Sequence, residues 1–147
     1  GLLSRLKQQA EVVASGAAPS GWQGDWSAAV SSVALLGKSP DDTIPGLEGP
    51  RSVCCVDGIG GADVVLVPLE DGDRCEALVK LGKQVLVVDL NPLSRTAMTA
   101  NVTVVDEVSR AASILLSEVV LGEAEPTDWD NVAGLNDALA VMARTSA

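Results

Sequence analysis

Hydrophobic positions along the chain change period near residue 51, and the change predicts two kinds of structure. In the first part Leu3, Leu6, Ala10 and Val13 recur at helical spacing, which predicts a helix from Leu2 to about Ser15. A Gly/Pro/Ala connector spans residues 16–24. A second helix comes next, capped by Asp25 or Ser27, carrying Trp26, Val30 and Val33 and ended by Gly37 and Pro40. After a loop rich in Pro, Gly and Asp, four short β-branched runs appear: Ser52–Val56, Asp63–Val67, Gln84–Val88 and Val102–Val105. Between and after them lie helical patterns. Residues 73–81 place Cys75, Leu78 and Val79 on one side. Asp106 is expected to cap a longer helix bearing Val108, Ala111, Ala112, Leu115 and Val119, and Asp130 or Asn131 to start a last one bearing Leu135, Leu139 and Met142. Strands alternating with helices predict an α/β fold: a Rossmann-like parallel sheet with helices on both faces, preceded by an N-terminal helical segment. The expected division is residues 1–50 for that segment and its linker, and 51–147 for the α/β domain.

Composition narrows this picture. With 147 residues and 47% hydrophobic content, the chain can bury a core and is not disordered. Its apolar runs are interrupted well short of the ~20 residues a membrane helix needs, so no membrane partner is expected. The start turns polar after three residues, unlike a secretory signal, and the first residue is Gly, as in a chain that continues upstream. Twenty acids against ten bases, net charge −10, argue against nucleic acid bound through a broad basic face. Only Lys7, Lys38, Lys80 and Lys83 are lysines. Such an acidic, lysine-poor surface fits a salt-adapted cytoplasm, or simply an acidic mesophilic protein. Cys54 and Cys55 are adjacent in an expected strand and point to opposite sides. With Cys75 they read as small core residues in a reducing, cytoplasmic compartment. Without histidine, neither a Ser-His-Asp nor a Cys-His nucleophile can be built.

Candidate chemistry gathers behind the strands. Gln84-Val-Leu-Val-Val-Asp-Leu-Asn-Pro-Leu-Ser-Arg-Thr-Ala97 is a buried-strand pattern followed at once by hydroxyls, a carboxamide and a guanidinium. An open α/β sheet holds its ligands at this end of its strands, and an Arg fork suits phosphate oxygens. An ordinary strand-to-helix loop capped by Ser94 or Thr96 is the alternative. Asp57-Gly-Ile-Gly-Gly-Ala-Asp63 comes after a strand as a dinucleotide fingerprint does, but the next strand leaves no room for a helix. It reads as a tight connection. Glu70, Asp71 and Asp73 would face the same crevice. They fit either magnesium or amine binding, or simple capping of the helix after them. At Val104-Val-Asp-Glu-Val-Ser-Arg110 the backbone of Glu107 and Val108 could read an adenine edge, or Glu107 could merely favour the helix start.

Three segments, Val67-Pro-Leu-Glu-Asp-Gly-Asp-Arg-x-Glu-Ala-Leu-Val-Lys80, Val88-Asp-Leu-Asn-Pro-Leu-Ser-Arg-Thr-Ala97 and Thr103-Val-Val-Asp106, together resemble the archaeal 4-phosphopantoate–β-alanine ligases, the phosphopantothenate synthetases of coenzyme A biosynthesis. The resemblance runs from about Arg51 to Ala112. It implies that ATP is split to AMP and pyrophosphate, through an acyl-adenylate, while the carboxylate of 4-phosphopantoate is joined to the amine of β-alanine. It also implies Mg²⁺, a homodimer, and a nucleotide site at Asp89, Leu90, Asn91, Arg95, Thr96, Glu107 and Val108. Glu107 departs from the polar uncharged residue expected there, which puts a side-chain contact to adenine in question but not a backbone one. Family members also resemble this chain preceded by a substantial helical segment whose arginines meet ATP. Here Arg5 is the sole base before the sheet besides Lys7 and Lys38. The alternative is therefore a non-catalytic nucleotide-binding module, or a truncated, inactive subunit.

Overall fold

The computed structural model describes residue 36 and residues 39–68, 71–121 and 128–145. The two expected N-terminal helices, Arg5, Lys7, Lys38 and Glu70 lie outside the described residues. The chain forms two compact units, Gly1–Ala62 and Asp63–Ala147.

In the first unit, β1 (Asp42–Thr43) pairs antiparallel with β2 (Val53–Cys54), Asp42 opposite Cys54 and Thr43 opposite Val53. The turn between them passes through a single 3₁₀ turn at Gly49–Arg51. Ile44, Cys54 and Cys55 are the buried side chains of this hairpin region. The run Ser52–Val56 therefore yields a two-residue hairpin strand rather than a member of the parallel sheet. Its partner was hidden in a Pro/Gly/Asp loop, because two residues are too few to show a period. The glycine run after β2 is a tight connection, as expected. Gly58 and Gly60 donate to Cys55 O at 2.9 and 3.0 Å, and Gly61 donates to Val56 O at 2.9 Å. A Cβ on Gly60 would stand 2.5 Å from Asp42 Oδ2 and 3.0 Å from the Cys55 carbonyl oxygen, so a side chain there would force a neighbour to shift.

The second unit is the α/β layer. Its sheet has the order β3 (Val64–Val67), β4 (Gln84–Val88), β5 (Val102–Val104), all parallel. Register places Val65 beside Val85, Leu66 beside Leu86 and Val67 beside Val87, and on the other side of β4 sets Leu86 beside Val102 and Val87 beside Thr103. Side chains alternate across a strand, so Val65, Val85, Val87 and Thr103 share one face, and all four are buried. On the other face Val64 and Leu66 are exposed.

Among the described residues the second unit carries four helices: α1 (Gly72–Lys80), α2 (Arg95–Thr99), α3 (Val108–Leu121) and α4 (Asn131–Thr145). α1 and α2 pack on one another, the helices of two successive crossovers that move the same way across the sheet. Cys75, Ala77 and Ala97 are buried small residues of these two helices and let them approach closely. Leu78, 1% exposed, is the largest side chain in this core, and burying one of its kind stabilises by ~1.5–3 kcal/mol. α1 ends where Gly82 takes φ +80°, with Lys83 N donating to Leu78 O at 3.2 Å, the closure that a glycine in the left-handed region permits. α4 packs on α2 and β5. The short α2 was legible only as a capped turn, since five residues carry little more than one helical period. Among the described residues no helix is long and apolar enough to cross a membrane.

Candidate functional site

Because β3, β4 and β5 are parallel neighbours, the segments leaving their carboxyl ends lie along one edge of the sheet. The middle segment is built by its own side chains. Asp89 uses both oxygens: Oδ1 accepts from Asn91 N at 2.9 Å, and Oδ2 accepts from the Ser94 hydroxyl. Asn91 Oδ1 accepts from Leu93 N at 3.0 Å. Ser94 Oγ then accepts from Ala97 N at 2.9 Å, which makes it the cap of α2. A carboxylate thus orients a hydroxyl, and the hydroxyl sets where the helix begins. The backbone N–H groups of Arg95 and Thr96 have no acceptor among the described residues.

Outward from this frame, Leu90 and Leu93 are exposed, at 64% and 61%. Thr96 points the other way. It is fully buried, backbone included, and its hydroxyl has no hydrogen-bond partner among the described residues, so Thr96 presents no group to the outside of the loop. The far end of α2 is tied down by Asn131, whose Nδ2 donates to Ala97 O at 2.8 Å and to Ala100 O at 3.0 Å. Thr103 Oγ1 also donates to Ala97 O, at 2.9 Å.

The segment after β3 meets the middle one through Arg95. Asp71 caps α1, accepting from Arg74 N at 3.1 Å. Asp73 and Glu76 both form ion pairs with Arg95, through Nη1 and Nη2 respectively. Glu76 also binds Lys80 at 2.5 Å. The Lys80 ammonium and then the Arg95 guanidinium hold the Glu76 carboxyl down at about 2. Those same contacts, Glu76 first and then Asp73, raise Arg95 above its ordinary value. Cys75, whose thiol faces Thr96 O at 3.7 Å, is pushed up to about 11 by burial and by the nearby Asp71 charge. It stays a protonated core thiol, as expected of a buried cysteine.

The segment after β5 is closed differently. Glu107, not Asp106, caps α3: its carboxylate accepts from Ser109 N at 3.0 Å and Arg110 N at 3.1 Å, and Ala111 N reaches its carbonyl at 2.9 Å. Asp106 instead accepts from Glu107 N at 2.7 Å and forms an ion pair with Arg110. Arg110 lowers the Asp106 carboxyl, with help from the Glu107 N–H. The Ser109 hydroxyl and then the Ser109 and Arg110 N–H groups lower Glu107. Of the two backbone groups expected to face an adenine, Glu107 N–H is already engaged, while Val108 N–H has no acceptor among the described residues.

Geometry therefore joins Arg95 to Asp73, and Asp89 to Asn91, and sets Glu107 and Val108 on the adjacent segment. Sequence reasoning missed Glu76 and Gly72. The Glu76–Lys80 pair at i, i+4 was a readable signal. The closeness of Gly72 to Arg95 was not. Among the described residues no group of three or more acids or thiols is placed to hold a metal ion.

A family model described as phosphopantothenate/pantothenate synthetase matches residues 27–143. The chain belongs to this family. Within it, a 4-phosphopantoate–β-alanine ligase of Thermococcus kodakarensis is 58% identical over 79 residues, 54% of this chain and 30% of that relative. One of Methanosarcina mazei is 56% identical over 77 residues, 52% of this chain and 30% of the relative. One of Methanospirillum hungatei is 62% identical over 65 residues, 44% and 27%. The matched stretch thus covers less than a third of each of these synthetase relatives. Membership agrees with the resemblance carried by the Asp-Leu-Asn-Pro-Leu-Ser-Arg run and with the three-stranded parallel sheet beneath it.

Proposed function

We propose that this chain supplies the nucleotide-holding part of an ATP-dependent ligase that joins 4-phosphopantoate to β-alanine. The observation that carries the reading is the coincidence of family membership with a polar loop, residues 89–95, at the carboxyl end of the central parallel strand. The chemistry balances in two displacements. A carboxylate oxygen of 4-phosphopantoate attacks the α-phosphorus of ATP and pyrophosphate leaves. The β-alanine amine then attacks the activated carbonyl, loses a proton and displaces AMP, giving 4′-phosphopantothenate.

In this reading Asp89, Leu90 and Asn91 shape the loop, Arg95 meets phosphate, Thr96 supports the loop from the buried side of α2, and Val108 offers its backbone N–H group. Glu107 contributes through the cap that places Val108, since its carboxylate is occupied. Asp71 and Asp73 are engaged by Arg74 N and by Arg95, and Asp89 has both oxygens in use. These acids do not fit a protein-made magnesium cage, and no step is routed through one. Mg²⁺ would travel with the triphosphate, as this ion commonly does. A homodimer and a cytoplasmic setting belong to the same proposal. The setting is supported by three cysteines that are buried as thiols.

The test is release of AMP from ATP and 4-phosphopantoate, with and without β-alanine. Release that depends on β-alanine is the expected result. ATP binding without any release would favour the rival, a nucleotide-binding module or inactive subunit, which the short matched stretch of each relative keeps in view. Neither binding nor release would sink the proposal. Light scattering of the same sample reads the dimer.

A further inference from the structure

Arg95 is already gripped in this structure. Nη1 and Nη2 each donate to a carboxylate of α1, Asp73 and Glu76. Its stem lies over the first residue of that helix: a Cβ on Gly72 would come within 3.2 Å of Arg95 Cβ, Cγ and Cδ. The glycine makes room for the stem, and the acids hold the head. These are separate features of one turn.

Both acids are placed to lose this partner at little cost. The second oxygen of Glu76 is bound by Lys80 at 2.5 Å, so its charge keeps a counter-ion if Arg95 departs. Asp73 lies in the first turn of α1, where the helix dipole favours a negative charge. Two carboxylates occupy the guanidinium, so an approaching polyphosphate meets their charge at the donors it would bind. Phosphate oxygens would also seek the same Nη donors, because an Arg fork binds carboxylate and phosphate by the same geometry.

We propose that Asp73 and Glu76 form a latch that holds Arg95 in competition with nucleotide phosphate and so sets nucleotide affinity, Lys80 keeping Glu76 when Arg95 turns to the ligand. The inference rests on the nucleotide reading above. It makes these two acids affinity-determining residues outside the loop that meets the ligand. It also predicts a direction opposite to that of a supporting role: neutralising them tightens binding.

The experiment is calorimetric titration with ATP at low salt for the wild-type chain, Asp73→Asn, Glu76→Gln, the double variant, Arg95→Ala, and Glu76→Gln in the Arg95→Ala background. Each amide is nearly isosteric and its site is exposed, so the fold should persist, and circular dichroism checks that it does. Each single change should tighten ATP about two- to fivefold and the double about tenfold, the scale of exposed ion pairs. The gain should vanish without Arg95 and shrink in 1 M KCl, where screening acts within ~3 Å. If wild type binds ATP and Arg95→Ala weakens it, yet the acid variants bind equally or less tightly, the latch is wrong and the nucleotide reading stands. If Arg95→Ala binds as wild type does, the phosphate role of Arg95 falls and the latch falls with it. If neither wild type nor the double variant binds ATP, both readings are overturned.

Discussion

The tripeptide Val-Val-Asp occurs twice, at Val87–Asp89 and Val104–Asp106, each time at the end of a parallel strand and before a helix. The two junctions close in different ways. After β4, Asp89 turns inward to the Ser94 hydroxyl, a neutral group caps α2, and the first two N–H groups of that helix are left without an acceptor among the described residues. After β5, Asp106 turns to Arg110, and a charged carboxylate, Glu107, caps α3. The second junction has thus placed its own anion where the N-terminal N–H groups would receive one, while the first has not. The difference lies in the residues that come after each aspartate. A neutral hydroxyl five residues on caps α2 without adding a charge at the helix start. A glutamate directly after the aspartate puts a charged cap on Ser109 N and Arg110 N.

The largest expected effect comes from the one guanidinium at the first junction. Arg95→Ala should weaken ATP binding on the order of ten- to a hundredfold, the range of a charged hydrogen bond lost to a phosphate. Arg110→Ala, at the second junction, should leave binding near the wild-type value. Titration of both variants with ATP reads the contrast, and equal losses would erase the distinction between the junctions.

Cap removal comes next. Ser94→Ala deletes the hydroxyl that links Asp89 to Ala97 N and should cost ~0.5–2 kcal/mol of stability. Urea melting measures it. A variant as stable as wild type would mean that the inward turn of Asp89 contributes nothing to holding α2.

Acid should reach the latch. The Glu76 carboxyl is depressed to about 2 from an ordinary 4.5, chiefly by Lys80 and then by Arg95. A depressed carboxyl contributes stability that is fully present above its unfolded value and is lost as pH falls through its folded value. The loss from this group should therefore run between about 4.5 and about 2. Because the site is exposed, the effect is small. Comparing thermal midpoints of wild type and Glu76→Gln across that window isolates it. Parallel curves would show that the ion pairs have no thermodynamic weight.

Salt should act most gently and on the whole chain. A net charge of −10 repels itself, and screening relieves the repulsion, so the melting midpoint should climb from dilute to molar KCl. A midpoint that stays level would remove the salt-adapted reading of the composition.

Much of the α/β layer could be read directly. Gln84–Val88 and Val64–Val67 are β-branched runs long enough to show as strands, and α3 and α4 are long enough to show a helical period. Asn91, Ser94 and Arg95 could be singled out because hydroxyls, amides and guanidinium crowd behind one strand. Less was legible where elements are short. β1 has two residues and α2 five, fewer than either periodicity needs. Partner choice was also hidden: nothing local to Asp106 or Glu107 says which of them caps the helix, since both are acids within reach of the same N–H groups.

Local pattern, composition and a long motif determined by themselves that this chain builds a parallel α/β layer and which family it belongs to. Those properties are written in consecutive residues, as hydrophobic period and as an uninterrupted run of functional groups. Only the tertiary structure decided that Arg95 is held by Asp73 and Glu76 over Gly72, and that Thr96 is buried rather than presented. It also decided that Asn131 ties down the end of α2. Arg95 and Asp73 are 22 residues apart, and Asn131 and Ala97 are 34 apart. Such pairs meet because helices pack side by side on a sheet, and no spacing along the chain records which turn of one helix will face which turn of the next.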